Sequence, residues 1–423
     1  MSNHNDHRKP EEKNFRWNFA VNALDISFYT LAMNIVSQAT VLPLLVTQLT
    51  NSKVAVGAIS AIFNLGYLLP QMFTAGYAEG LRRKKPFIMW VSGMGERGPW
   101  LIAGLAVGAF ALTSPPLALF SLFLCLAVAS ISAGVTTPAW YDMIAKAIPL
   151  KSRGLWSGVS FGAGAFMGIA GSAIAGTILS DWKFPQSYML LFVLAFAAIM
   201  VSYLGLSLNR EQDSEVIKKH DNLLTYLRRL PEVLQRDRNY RVFLISRSVS
   251  YLSMMAGGFY IVYGAQKFGI SGTEVGAYNA LLVGSQTLMN LLFGLLGDRK
   301  GHKIVLAGAM IATALAAFAA LVIPQQGVLW LIFFLMGAAS AGENVSGMNI
   351  ILEFCAAEDR PTYIGLTNTT LAPSRAIAPL IGGWLAATWG YSPMFLVSGL
   401  VSLLGAVLMG LWVKEPRKSE VPA

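Results

Sequence analysis

The sequence predicts an all-α integral membrane protein with twelve transmembrane helices, and three observations indicate this fold class. Of the 423 residues, 55% are hydrophobic and only 13% are charged, whereas soluble domains carry roughly 25% charged residues. The apolar residues form twelve runs, and each is long enough to cross a bilayer, which takes about 20 residues. Lysine and arginine are also distributed very unequally between alternate connections.

The twelve apolar runs fall into two groups of six, separated by one long polar segment. The first group lies at 17–46, 54–78, 86–112, 116–146, 154–180 and 186–208. The second group lies at 241–267, 274–297, 303–324, 327–356, 362–389 and 392–413. Prolines inside some runs do not contradict the assignment, because membrane helices tolerate proline where neighbouring helices satisfy the freed backbone groups.

The basic residues predict the orientation in the membrane. With the N-terminus in the cytoplasm, 26 of the 32 lysines and arginines face the cytoplasm, and only Lys53, Lys183 and Lys267 lie in loops on the other side. Positive residues concentrate in cytoplasmic loops. We therefore expect a multi-pass protein of the inner (plasma) membrane with both termini in the cytoplasm. The net charge of +10 then reflects orientation in a lipid bilayer, and we expect a monomer that binds no nucleic acid.

The same runs predict the domain organisation. We expect a cytoplasmic tail (1–16), a six-helix bundle (17–208), a cytoplasmic linker (209–240), a second six-helix bundle (241–413) and a second tail (414–423). The linker carries leucines at helical spacing, at Leu223, Leu227, Leu230 and Leu234. This pattern predicts an amphipathic helix on the cytoplasmic surface. The segment is either a plain connection or a binding site for a regulatory partner.

The two halves contain similar connections at equivalent positions. The connection between runs 8 and 9 contains two glycines, an acid–base pair and a lysine, at Gly294, Asp298, Arg299, Gly301 and Lys303. The connection between runs 2 and 3, residues 76–85, also begins with glycine and ends in basic residues. This internal repeat indicates two structurally related halves.

The spacing of the second connection resembles the signature loop of the major facilitator superfamily, G-x-x-x-D-R-x-G-R-[RK], with His302 where a basic residue is usual. The first half departs from it, since Gly80 and Leu81 occupy the Asp-Arg positions. The resemblance implies two pseudo-symmetric six-helix bundles that rock about a site at the membrane midplane. It also implies that Asp298 contacts the start of run 5, near Arg153, through a charge–dipole interaction that breaks during the rocking.

Six ionisable residues lie deep inside apolar runs: Asp25, Glu96, Arg97, Arg247, Glu343 and Arg375. Each costs about 2.5–3.5 kcal/mol at the middle of a membrane helix, so each is a candidate functional residue. Three are acids and three are bases, so pairing among themselves is the alternative interpretation.

The family resemblance sorts these charges. It implies that runs 1, 4, 7 and 10, with parts of 2, 5, 8 and 11, line a central cavity, and that run 3 supports it from outside. Glu96 and Arg97 are then expected to be structural, whereas the other four face substrate. Polar residues at helical spacing share faces with them and complete the predicted substrate or proton pathway, at Asn22, Tyr29, Tyr251 and Gln286.

The resulting functional hypothesis is secondary active transport of a small organic solute by alternating access, as a symporter or antiporter. Asp25 or Glu343 would carry a proton, because burial can bring a carboxylate into the physiological titration range. Arg247 and Arg375 would attract an anionic or polar solute.

Two alternatives remain open: an exporter of amphipathic compounds or drugs, and a non-transporting membrane receptor or scaffold. No Gly-Lys dipeptide is present for a phosphate-binding loop, and Cys125 and Cys355 have no metal-ligand spacing around them. We therefore expect no cofactor, no metal and no enzymatic activity.

Overall fold

The structure is a computed structural model that describes residues 14–213, 237–322, 324–355 and 360–416. Regular secondary structure in this part is helical, and it contains no strand. Helices suit lipid because they satisfy every backbone polar group internally. Nine described segments are long and apolar enough to cross a membrane: Lys53–Gln71, Pro115–Ala147, Arg153–Asp181, Gln186–Ser207, Arg238–Phe268, Gly272–Lys300, His302–Val322, Val328–Glu353 and Tyr391–Trp412. The all-α membrane fold is thus confirmed, while the count of twelve crossings stays a prediction.

Contacts divide the chain into two compact units. The first contains the described residues up to Ser37 and those from Leu65 to the start of the linker. Its helices are α1 (Phe15–Ile35), the latter part of α3 (Lys53–Gly80), α4 (Lys85–Val91), α5 (Gly98–Phe110), α6 (Pro115–Ala147), α7 (Arg153–Asp181) and α8 (Gln186–Ser207). These helices correspond to the apolar runs of the predicted first bundle.

The second unit contains Gln38–Asn64 and the described residues of the second half. Its helices are α2 (Val41–Leu49), the start of α3, α9 (Arg238–Leu252), α10 (Phe259–Phe268), α11 (Gly272–Lys300), α12 (His302–Val322), α13 (Val328–Ser346), α14 (Asn349–Glu353), α15 (Arg360–Trp389) and α16 (Tyr391–Val407). The segment 38–64, which the sequence assigned to the first bundle, thus lies in the second unit.

Five predicted runs are not continuous α-helices, and one of them, run 12, ends in a π-helical turn, Leu408–Trp412. Run 1 breaks between α1 and α2, where Pro43 lacks an N–H and its ring excludes the carbonyl of Ala39 from helical geometry. Run 3 contains a π-helical turn, Ser92–Arg97, directly before Pro99. Run 7 changes to a 3₁₀ turn after α9, and run 10 breaks between α13 and α14. Such irregular turns inside membrane helices expose backbone and side chains to a site.

Large apolar side chains cover much of the outer surface. Trp90, Phe166 and Val322 are 74%, 74% and 77% exposed, and many other leucines, isoleucines and phenylalanines are exposed as well. Soluble monomers rarely present such extensive apolar surface. The exterior is therefore suited to contact with lipid.

Small residues allow the helices of the first unit to approach closely. A Cβ atom added at Gly171 on α7 would lie 2.6 Å from the carbonyl oxygen of Leu31 on α1. A Cβ atom at Gly134 on α6 would lie 2.6 Å from the carbonyl oxygens of Gly66 and Tyr67 on α3. Glycine at these positions permits backbone contact between helices, as is common in membrane proteins.

The start of the linker is bound to the basic connection between α3 and α4. The Glu211 carboxylate accepts hydrogen bonds from the backbone N–H groups of Lys84 and Lys85, at 2.7 and 2.8 Å. Asp213 forms ion pairs with Arg82 at 2.9 Å and Arg83 at 2.5 Å, and the hydrogen bond from Arg83 lowers the pKa of Asp213. Acidic residues of the linker thus neutralise the loop that lacks the Asp-Arg pair. The predicted amphipathic helix, including Leu223–Leu234, lies outside the described residues.

The signature loop of the second half forms a tight helix junction. Gly301 separates α11 from α12 with φ of +95°, a conformation that favours glycine, and an added Cβ would collide with the Glu415 carboxylate. His302, which the sequence placed in a short loop, instead begins α12, is buried, and has its Nδ1 atom 3.0 Å from the Ser346 hydroxyl. This polar contact explains how a histidine is accommodated there. The contact expected between Asp298 and the start of run 5 stays a prediction.

Candidate functional site: a polar cavity in each unit

The six intramembrane charges gather in two groups, one in each unit. Asp25, Glu96 and Arg97 lie in the first unit, and Arg247, Glu343 and Arg375 lie in the second. A cavity lies beside each group, and its volume is about 290 Å³ in the first unit and about 610 Å³ in the second. The alternative that the charges pair among themselves therefore holds in part. Glu96 pairs with Arg97 and Glu343 pairs with Arg247, but both ion pairs lie next to a cavity.

The first cavity is built around Asp25 on α1. Its Oδ1 atom accepts a 2.6 Å hydrogen bond from Ser202 on α8, and the Trp140 indole N–H on α6 lies 3.4 Å from Oδ2. Arg97 lies 3.5 Å from the same Ser202 hydroxyl. Three helices therefore hold one buried carboxylate, and Tyr29 lines the same cavity one helical turn further along α1.

Glu96 and Arg97 are part of this cavity rather than a remote support. Both are buried and lie in the π-helical turn, where the ion pair between them measures 3.2 Å. Ser92 donates a 2.7 Å hydrogen bond to Glu96. Run 3 was expected to support the cavity from outside. Instead, two consecutive residues of its π turn line the cavity of the first unit. Periodicity of a regular helix could not predict that.

Asn22 shares a helical face with Asp25 and was therefore expected in the substrate or proton pathway, but its contacts are different. It is fully buried, donates to the carbonyl of Asn18 at 2.7 Å, and accepts from the Asn209 amide at 2.8 Å. It does not line the cavity. Its contacts hold α1 to the segment after α8.

The second cavity contains a network centred on Tyr251. Arg247 on α9 forms a bidentate ion pair with Glu343 on α13, and one of its two hydrogen bonds measures 2.6 Å. The Tyr251 hydroxyl donates to Glu343 at 2.9 Å and accepts from Arg247 at 2.6 Å. It also accepts from Arg375 on α15, whose guanidinium carbon lies 4.0 Å from the ring centre of Tyr251. Three separate runs are thus joined through one hydroxyl.

Charge and burial differ among the members of this network. Arg247 and Tyr251 are each 2% exposed, and the Glu343 side chain is 19% exposed towards the cavity. Arg247 neutralises Glu343, whereas Arg375 has no carboxylate partner among the described residues. Arg375 is half-buried. A partly buried charge without a partner is costly, and a guanidinium is well suited to bind an anion in a bidentate arrangement.

The remaining wall combines amides with apolar side chains. The predicted Gln286 lines the cavity, and so do Asn64 and Asn344, which the sequence analysis did not single out. Met254, Met310, Met336, Leu282 and Tyr260 supply the apolar surface. The signal that could have identified Asn64 is a lone amide within an apolar run. Ser202 had no comparable signal, since single serines are common in membrane helices.

The described part of the chain contains no ligand set for a metal ion. No group of three histidine, cysteine, aspartate or glutamate side chains lies close enough there to hold a metal ion. Cys125 and Cys355 are buried and are not joined in a disulfide.

Comparison with known proteins finds a family match in the second half of the chain. A model of the Major Facilitator Superfamily matches residues 242–423. The multi-drug resistance efflux pump PmrA of Streptococcus pneumoniae is 25% identical over 155 residues, which cover 36% of this chain and 38% of that protein. The 4-hydroxybenzoate transporter PcaK of Acinetobacter baylyi is 24% identical over 167 residues, covering 40% of this chain and 36% of PcaK. The chain thus matches little more than a third of the length of these relatives.

The fold comparison extends over nearly the whole chain. The crystal structure of a mutant form of the nucleoside transporter NupG superposes with a TM-score of 0.72 at 14% identity. The match covers 94% of this chain and 100% of that structure. The signature-loop prediction, the match over residues 242–423 and the shared fold agree that this chain is similar to transporters of the major facilitator superfamily.

Proposed function

We propose that this protein is a secondary active transporter that moves a small organic solute across the inner membrane by alternating access. In this proposal it acts as a monomer, with both termini in the cytoplasm, and uses proton movement as the driving force. The observation that carries the proposal is the 610 Å³ cavity of the second unit, which combines an ion-pair network with amides and an apolar wall. Ligand cavities of small organic molecules measure about 300–1,000 Å³ and have this mixed lining.

The similarity to NupG and PcaK supports transport as the activity. Both are described as transporters, of nucleosides and of 4-hydroxybenzoate respectively. A charged network at mid-membrane is costly unless it serves a pathway. A structural role alone would not require the free volume beside it.

Proton coupling is assigned to the two carboxylates that face the cavities. Asp25 contacts Ser202 and Trp140, and Glu343 contacts Arg247 and Tyr251. A carboxylate whose hydrogen-bond partners change during transport can take up a proton in one state and release it in the other.

The test uses purified protein in proteoliposomes that contain a trapped pH-sensitive dye. Addition of a transported solute should change the internal pH, and an imposed pH gradient should drive solute accumulation. Asp25→Asn and Glu343→Gln should each abolish the pH change. Asp181→Asn, at the exposed end of α7, is the matched control and should behave as wild type.

The design separates coupling from folding. Because Glu343→Gln also removes the partner of Arg247, the double variant Arg247→Gln/Glu343→Gln is measured beside it. Solute flux that does not respond to the pH gradient, with both single variants equal to wild type, would exclude proton coupling. Saturable solute binding without any flux would instead support the receptor hypothesis.

Export of amphipathic compounds is the second candidate, and one observation favours it. Met254, Met310 and Met336 line the same cavity, and flexible methionine side chains adapt to varied apolar ligands. PmrA is described as a multi-drug efflux pump. Expression in a drug-sensitive host distinguishes this candidate, because an exporter raises resistance to structurally unrelated compounds and a dedicated solute transporter does not.

A further inference from the structure

We propose that the solute of the second cavity is an amphipathic organic anion with a single negative charge, bound through its carboxylate to Arg375. This inference rests on the proposed function and assigns the substrate class at the same cavity. It follows from the charges, the hydrogen-bond capacity and the shape of the wall.

The charge balance of the cavity is positive by one. Among the described residues that line it, Glu343 and Arg375 are charged. Arg247 does not line the cavity but forms an ion pair with Glu343. The bidentate pair is neutral as a whole, so Arg375 remains as an uncompensated cation. A solute with one negative charge would neutralise the cavity, whereas a cation would add to the excess.

The hydrogen-bond capacity of the network directs the solute to Arg375. A tyrosine hydroxyl has one proton and two acceptor lone pairs. Tyr251 uses its proton on Glu343 and its lone pairs on Arg247 and Arg375, so it has no capacity left for a solute. Tyr251 is therefore a positioning residue, which holds the Arg375 guanidinium beside the cavity.

Arg375 retains donors for a ligand. A guanidinium carries five N–H donors, and within the described parts of the chain one hydrogen bond leaves it, to Tyr251. Its Nε atom is buried and has no hydrogen-bond partner among those same residues. Since Arg375 lines the cavity, a carboxylate there would receive a charge-assisted hydrogen bond, and a guanidinium can hold it in a bidentate arrangement.

The remaining wall determines what the carboxylate is attached to. Met254, Met310 and Met336 present apolar surface, and Gln286 and Asn344 add neutral polar groups. An inorganic anion would fill little of 610 Å³ and leave this surface unused. A body of one or two rings, or a medium aliphatic chain, fits the combination.

The test compares isosteric ligands that differ in charge. Purified wild-type protein in lipid nanodiscs is titrated calorimetrically with benzoate, benzamide and benzamidinium, and with 2-naphthoate and octanoate beside their amides. Carboxylates should bind about tenfold to hundredfold more tightly than the matching amides, which is the usual range for a hydrogen bond to a charged group. Benzamidinium should bind more weakly than benzamide.

Variants of Arg375 test the assigned contact. Arg375→Gln should reduce the preference for carboxylate over amide to about one, chiefly by weakening carboxylate binding. Arg375→Lys should retain part of the preference because it keeps the charge but loses the planar fork. Arg238→Gln, exposed at the start of α9, removes the same charge elsewhere and should have no effect. A loss of fold would lower binding of all ligands alike, so the carboxylate-to-amide ratio is the decisive measurement.

The outcomes distinguish the substrate class from the function. Equal affinity of wild type for benzoate and benzamide, no binding by any carboxylate, or an unchanged preference in Arg375→Gln would each overturn the proposal. Carboxylate-selective binding without flux in proteoliposomes would keep the class and refute transport. Flux of neutral solutes without carboxylate preference would keep transport and refute the class. If Arg375→Gln does not fold, the wild-type series alone decides.

Discussion

The ion pair between Arg247 and Glu343 predicts an unequal response to removal of either partner. Glu343→Gln leaves Arg247, which is 2% exposed, as a buried cation, and arginine cannot lose its proton. Arg247→Gln leaves Glu343, whose side chain is 19% exposed to the cavity and which can become neutral by taking up a proton. We therefore expect Glu343→Gln to destabilise the protein more than Arg247→Gln.

The magnitude follows from the burial. Removal of one partner of a fully buried pair costs about 3–5 kcal/mol, and the partial exposure of Glu343 places Glu343→Gln near the lower end, at about 3 kcal/mol. The proximity of Arg375 increases the cost, because two cations then share Tyr251. For a unit of this size, 1 kcal/mol corresponds to roughly 2–4 °C, so the expected decrease in unfolding temperature is about 6–12 °C.

The assay uses the two native cysteines. Cys125 and Cys355 are buried thiols that are not joined in a disulfide, so a thiol-reactive fluorescent dye reports unfolding as temperature rises. In a Cys125→Ser background, Cys355 alone reports on the second unit. The double variant Arg247→Gln/Glu343→Gln should recover at least half of the loss caused by Glu343→Gln, since it removes the unpaired charge.

One result would refute this reasoning. If Glu343→Gln unfolds within about 1 °C of wild type, or if Arg247→Gln is the more harmful change, then the pair is not buried as described. Arg238→Gln serves again as the exposed control and should leave the unfolding temperature unchanged.

Three further sites give predictions that the same unfolding assay can check. Gly134→Ala should destabilise the protein by about 1–3 kcal/mol because its Cβ would collide with backbone atoms. Gly162 has open space around it, so Gly162→Ala should be neutral or stabilising by up to about 1 kcal/mol. Equal effects of the two substitutions would contradict the close contact at Gly134. Ser202→Ala should destabilise by roughly 1.5–3 kcal/mol at neutral pH because it removes the 2.6 Å donor to Asp25, and an unchanged midpoint would show that the bond contributes nothing. The lowered pKa of Asp213 means that its ion pairs stabilise the fold above the ordinary aspartate pKa, and that this contribution is lost as pH falls through the lowered value. Asp213→Asn should therefore have a small effect at pH 6 that disappears below the lowered pKa of Asp213 and at high salt. A large effect independent of salt would disprove a surface role.

The membrane-embedded helical fold was predictable from composition and periodicity. Lipid offers backbone groups no hydrogen-bond partner, so a chain with apolar runs of bilayer length is restricted to helices that cross it. The spacing from Gly294 to Lys303 predicted a resemblance to the major facilitator superfamily, and a model of that family matches residues 242–423. Within this loop, Gly301 occupies a positive-φ position that few other residues adopt. The side of the membrane assigned to the termini stays a prediction.

The partners of the buried charges were decided by tertiary structure alone. Helical spacing tells which residues share a face, but Arg247 and Glu343 are 96 residues apart, and no local rule selects that pairing. Glu96 and Arg97 lie in the π turn before Pro99 and line the same cavity as Asp25, which is 71 and 72 residues away in the sequence. Sequence thus determined that charges are buried in the membrane, since hydropathy is a property of the residues themselves. Their association into two cavities depends on helix breaks and close packing, which are properties of the folded chain.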